Sequence, residues 1–178
     1  LSIDWNHLRP LNSDQKEAFE ELCCQLAYYE QVPEGSIFER KGKPDGGVEC
    51  YWKYSSGDEW GWQAKYFRKS PSNNQWGQLD ESVKTFLEKH PAMTRCTVAL
   101  PVDLPDPRRN DQDSARVKWN NHVQKWQEWA QANGRRVDFD YWGEHQILER
   151  LARQEHHGRF YFWFHKEFFS SDWFQKRL

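Results

Sequence analysis

Asp45, Gln63 and Lys65 are the side chains of this 178-residue chain best suited to holding a cation against a phosphate. A carboxylate and an amide oxygen are hard ligands of the kind Mg²⁺ takes, and a lysine can stabilise charge that develops on a phosphoryl group. A metal held there would lower the pKa of an attacking water, which is what cutting a phosphodiester requires. Asp45 lies in the turn signal Lys43-Pro44-Asp45-Gly46-Gly47. Gln63 and Lys65 are two residues apart in a strand candidate, so their side chains leave it on one face. Trp62, Ala64 and Tyr66 then point to the other face, towards a core.

The elements that must position these residues are two strands, Val48 to Tyr54 and Trp60 to Phe67. They are joined by Ser55-Ser56-Gly57-Asp58 and read as a β-hairpin. The hairpin sets the strand that carries Gln63 and Lys65 beside the one that starts just after Asp45. Ahead of it, Phe19, Leu22, Cys23, Leu26 and Tyr29 recur at helical spacing, predicting a helix from about Asp14 to Glu30 capped by Ser13. Between helix and hairpin, Pro33, Gly35 and Gly42 break the chain around a short apolar piece at Ile37-Phe38. A helix from about Leu79 to His90 follows, then an apolar strand from Cys96 to Leu100. After Pro101, Pro105 and Pro107 comes a helix over about Ser114 to Ala132 with Gly134 as its C-cap. A half-buried strand carrying Val137, Phe139 and Tyr141 and a helix over about Glu144 to Glu155 complete the pattern. The alternation predicts one α/β domain with a mixed sheet flanked by helices.

The pair Pro44-Asp45, a gap of 17 residues, then Gln63-Ala64-Lys65 resembles the bipartite signature of the PD-(D/E)xK nuclease superfamily. The resemblance is nearest the Mrr-like form, with Asp45-Gly46-Gly47-Val48-Glu49 and Trp62-Gln63-Ala64-Lys65-Tyr66 matching its D-G-G and Q-x-K. It implies a restriction-endonuclease-like fold and a bound Mg²⁺ or Mn²⁺. Asp45 would be the main ligand, helped by the Gln63 amide oxygen and the Ala64 carbonyl. Lys65 would position water and steady the phosphate. Phe19-Glu20-Glu21-Leu22 is similar to the family's first helix, where a glutamate often joins the site. At about 100° per residue, Glu20 borders the apolar stripe and Glu21 points to solvent, so Glu20 is the expected ligand. Glu49 is a further carboxylate whose direction strand alternation leaves open. Gln63 stands where most of the superfamily has an acid, which removes one negative charge and predicts weaker metal binding.

A broader resemblance runs from Trp76 through Asp80-Glu81-Ser82-Val83-Lys84 and Leu87-Glu88-Lys89-His90-Pro91 to Leu100-Pro101. Trp119, Trp126, Tyr141-Trp142-Gly143 and Phe162-Trp163-Phe164 continue it. These look like the amino-terminal nuclease module of large bacterial antiphage STAND NTPases. The resemblance implies a double-stranded DNA endonuclease that is the effector of a defence protein. It also implies ATPase and sensor domains following in the same protein, and activation by self-association.

The net charge of −2 lends that reading no support, so phosphate contacts must come from local groups: Lys65, Arg68 and Lys69, or Arg108 and Arg109. Such a charge implies weak DNA affinity as a monomer. The 4 Cys show no zinc spacing and read as buried thiols of a cytoplasmic protein. No 18-residue apolar run predicts a membrane span. His156-His157 reads as a helix C-terminus, as does His90. Trp119, Trp126 and Trp129 read as core and interface, with base stacking as an alternative. The aromatic tail 159–178 reads as a strand with a short helix capped by Ser171, or as a surface that docks on a following domain. The competing function is a catalytically inactive module of the same fold that binds nucleic acid or assembles proteins.

Overall fold

The first long helix, α1 (Gln15–Ala27), starts where the Asp14 carboxylate accepts the Lys16 N–H at 2.8 Å. The cap is therefore Asp14; Ser13, the expected one, sits one residue earlier at φ +63°. The computed structural model describes residues 2–42, 46–105 and 114–165. Beyond α1 come β1 (Ile37–Arg40), β2 (Cys50–Lys53), β3 (Glu59–Ala64), α2 (Asn73–Lys89), β4 (Met93–Ala99), α3 (Ala115–Ala132), β5 (Asp138–Trp142), α4 (Glu144–Leu151) and α5 (His157–Phe164). The mixed sheet has the order β1-β2-β3-β4-β5. Strands β1, β2 and β3 pair antiparallel, and β3, β4 and β5 pair parallel.

The hairpin and the central apolar strand stand as expected. Two parallel crossovers, β3-α2-β4 and β4-α3-β5, carry α2 and α3 over one face of the sheet. There they bury Trp76, Leu79, Val83, Phe86, Trp119 and Trp126 against Cys96 and Val98. On the other face α1, α4 and α5 cover Trp52, Trp60, Trp62 and Trp142. Trp119 and Trp126 are thus core residues. Trp129 is partly exposed, its ring flanked by the Lys84 and Lys125 ammoniums at 5.1 and 5.3 Å.

Several boundaries differ from the sequence expectation, each for a local reason. The stretch at Ile37-Phe38 is a real strand, which the short apolar piece only hinted at. Helix α2 starts six residues early because Ser72 and Gln75 form a reciprocal capping box. Helix α4 stops at Leu151, short of the expected Glu155, and a 3₁₀ turn (Gln154–His156) leads into α5. His156 therefore ends the 3₁₀ turn and stands at the N-cap of α5, rather than at the C-terminus of a longer α4. It is buried edge-on against Tyr29. The tail up to Phe164 is helical, because Phe160, Trp163 and Phe164 share one buried face at i, i+3, i+4. Residues 166–178, with Ser171, lie outside the described part.

Candidate functional site

The site region is built where β2 stops behaving as a strand. Val48 packs on the α2 side of the sheet and Cys50 on the α1 side, although residues two apart should share a face. The alternation breaks at Glu49, and the two glycines before it explain why. Gly46 and Gly47 adopt φ +63° and +90°, and Gly47 lies so close to α2 that an added Cβ would stand 2.4 Å from the Ser82 carbonyl oxygen. This approach, open only to glycine, pulls the chain off the sheet line towards α2.

The break frees the Glu49 side chain to do what a backbone carbonyl would otherwise do. Its Oε2 accepts the Ala64 N–H at 2.8 Å, and its Oε1 accepts from Gln63 Nε2 at 2.9 Å. Its own N–H donates to the Trp62 carbonyl at 2.9 Å. Both side chains are buried, Glu49 at 8% exposure and Gln63 at 2%. Gln63 Nε2 also lies 3.4 Å from the Ala64 carbonyl oxygen, while Gln63 Oε1 is buried with no hydrogen-bond partner among the described residues. A buried acceptor left unmade costs roughly 1–3 kcal/mol. Such an orphan is a reason to look for a ligand at this spot.

Of the expected site residues, the structure brings Gln63 and Ala64 together with Glu49. The Lys65 N–H continues the pairing with β4 through the Ala99 carbonyl at 3.0 Å. Gln63 and Lys65 therefore keep the two-residue spacing that puts both on one side of the strand. Among the described residues the Lys65 ammonium has no ion pair. Glu20 is half-buried on α1. It and Glu49 both lie near Cys23, whose thiol is pushed up first by burial and then by Cys24, Glu49 and Glu20. Glu21 does not run free to solvent as expected. Arg40 of β1 holds it by two hydrogen bonds, and this charge-assisted contact keeps its carboxyl below the usual range.

Asp45 lies outside the described residues, as do Arg108 and Arg109. Arg68 is fixed by a 2.9 Å bond to Asn6 Oδ1 and lies over the Tyr66 ring, while Lys69 is exposed. All four cysteines are buried and free. Glu49 is the residue that sequence reasoning left aside. Its signal was there, in an acid that follows Gly-Gly at the start of the strand paired with Gln63. Reading it required knowing that the glycines break the alternation.

Among the described residues no three His, Cys, Asp or Glu side chains converge as a metal-binding group. The donors around Glu49 are of another kind: one buried carboxylate, an amide oxygen with no partner among the described residues and a main-chain carbonyl. That set of hard oxygens fits Mg²⁺ or Mn²⁺ better than a softer metal. No helix of the described residues is long and apolar enough to cross a membrane. No protein-family model matches the chain, and no curated protein matches it.

Proposed function

We propose that this chain is a divalent-metal-dependent DNA endonuclease domain of the PD-(D/E)xK type, with its site at the end of β3. The observation that carries the reading is the buried Glu49 carboxylate set against Gln63, whose amide oxygen has no partner among the described residues, two residues before Lys65. Glu49, the Gln63 amide oxygen and the Ala64 carbonyl would hold Mg²⁺ or Mn²⁺, with Glu20 and Asp45 as further carboxylates. Bound there, the metal would lower the pKa of an attacking water. Lys65 would orient water and neutralise charge on the phosphate. In-line attack on phosphorus forms the new P–O bond, breaks the bond to the 3′ oxygen, and leaves a 5′-phosphate and a 3′-hydroxyl. Lys69 and Arg68 follow Lys65 closely enough to contact the neighbouring backbone phosphates.

The wider setting rests on the sequence resemblance alone. In it the domain is the effector of an antiphage protein whose ATPase and sensor parts drive self-association on double-stranded DNA. With a net charge of −2, a single domain gains little from electrostatic attraction to DNA, and clustering several domains raises the effective affinity.

The test is plasmid cleavage with Mg²⁺ or Mn²⁺ against EDTA at high protein concentration, for the wild type, Lys65→Ala and Glu49→Ala. Metal-dependent cutting lost in both variants is the expected result. Cutting that survives Glu49→Ala would move the principal ligand elsewhere, with Asp45 the first residue to examine. DNA binding by a folded chain without cleavage at any protein concentration would favour the inactive-module reading.

A further inference from the structure

We infer that the Gln63 amide is a built-in plug: its NH₂ group sits where a cation shared by Glu49 and the Ala64 carbonyl would lie, and it must turn away before that cation binds. The inference rests on the cation site proposed above and adds how that site is gated. Nε2 lies 2.9 Å from Glu49 Oε1 and 3.4 Å from the Ala64 oxygen, so one NH₂ group donates to two oxygens suited to a hard cation. The amide presents its donor end to Glu49, whose other carboxylate oxygen accepts the Ala64 N–H. The cost of this arrangement is the amide oxygen, buried at Gln63 with nothing to bond among the described residues.

A half-turn of the terminal amide torsion exchanges the two ends. Oε1 then faces Glu49, an arrangement that is repulsive on its own and favourable only with a cation between the two oxygens. The same side chain is thus a lock in one orientation and a ligand in the other. Glutamate at position 63 could ligate but could not lock, having no N–H to donate. This distinguishes the Q-x-K pattern of the chain from an acidic one by more than charge. A site locked by its own amide stays inactive at low cation occupancy, and anything that shifts β2 against β3 by a fraction of an ångström weakens the lock.

The experiment follows the full chain by heteronuclear NMR during a Mg²⁺ titration. The Gln63 side-chain NH₂ resonances are assigned by their absence in Gln63→Glu, and the Ala64 backbone amide reports on Glu49. Calorimetry with Mn²⁺ compares the wild type with Gln63→Glu, and a urea curve for each checks folding. The expected result is a shift of the NH₂ resonances and faster solvent exchange of their protons as Mg²⁺ saturates, with Mn²⁺ bound at least about tenfold more tightly by Gln63→Glu. Wild-type binding too weak to measure beside clear binding by Gln63→Glu is the strong form of that result. Saturation seen at Ala64 while the Gln63 NH₂ resonances stay unmoved overturns the plug and leaves the cation site standing. Two folded proteins that both fail to bind either cation overturn the site and the plug with it.

Discussion

Replacing Gly47 with alanine tests the packing that creates the site. Gly47 sits at φ +90°, and its built Cβ would lie 2.4 Å from the Ser82 carbonyl oxygen, 2.8 Å from the Phe86 nitrogen and 2.9 Å from Phe86 Cβ. All three belong to the helix framework of α2, so no flexible side-chain end can swing away. Bringing the closest contact to about 3.4 Å, an ordinary carbon–oxygen separation, needs roughly 1 Å of displacement between the loop and α2. The left-handed backbone costs a non-glycine residue about 1–2 kcal/mol, and overpacking of this kind about 1–3 kcal/mol. The expected loss is therefore about 2–5 kcal/mol, read as a lower urea midpoint at unchanged slope. Gly42→Ala is the matched control, because nothing lies within 4 Å of its built Cβ. It should stay within about 0.5 kcal/mol of the wild type. A Gly47→Ala protein as stable as that control would refute the account of how Glu49 is turned from the strand. Where the variant remains folded, the displacement should also loosen the Glu49 bond to Ala64, seen as faster exchange of that amide proton.

Three further outcomes follow from the structure. Gly77 lies inside α2 with open space around its Cβ, so Gly77→Ala should raise stability by about 0.5–1 kcal/mol in the same urea assay. Arg135 donates to the carbonyls of Leu87, His90 and Met93, tying the end of α2 to the start of β4. Arg135→Ala should cost about 2–3 kcal/mol, and Arg135→Lys should recover less than half, since an ammonium cannot span three acceptors with the geometry of the guanidinium fork. His156 is held below the ordinary 6.5 by burial, with Arg159 adding to the effect. The unfolded chain therefore takes up a proton at that residue before the folded one does. The contribution is fully present above about pH 6.5 and is lost as pH falls towards the lower folded value. His156→Phe should flatten the thermal-midpoint profile in that window, and an unchanged profile would assign the pH dependence to other groups.

The order of helices and strands was legible because each element carries its own period. Phe19, Leu22 and Leu26 mark a helix face, Cys96 to Leu100 a buried strand, and Val137, Phe139 and Tyr141 a half-buried one. Gln63 and Lys65 could be placed on one side of a strand by counting alone, since a strand alternates whatever surrounds it. Caps were harder to read, because Ser13 and Asp14 are both good cap residues and the choice falls to whichever has extended backbone, here Asp14. The edge strand β1 and the helix α5 escaped detection for a related reason. Four residues are too few to show a period, and an aromatic run satisfies a strand as readily as a helix. The direction of Glu49 was the point that alternation left open. Alternation predicts where a side chain points only while the strand stays regular, and regularity ends where Gly46 and Gly47 bring the backbone against α2. That contact joins residues some 35 positions apart in sequence. Local pattern therefore fixed which residues could serve the site, whereas the packing of a loop on a distant helix decided which carboxylate reaches Gln63.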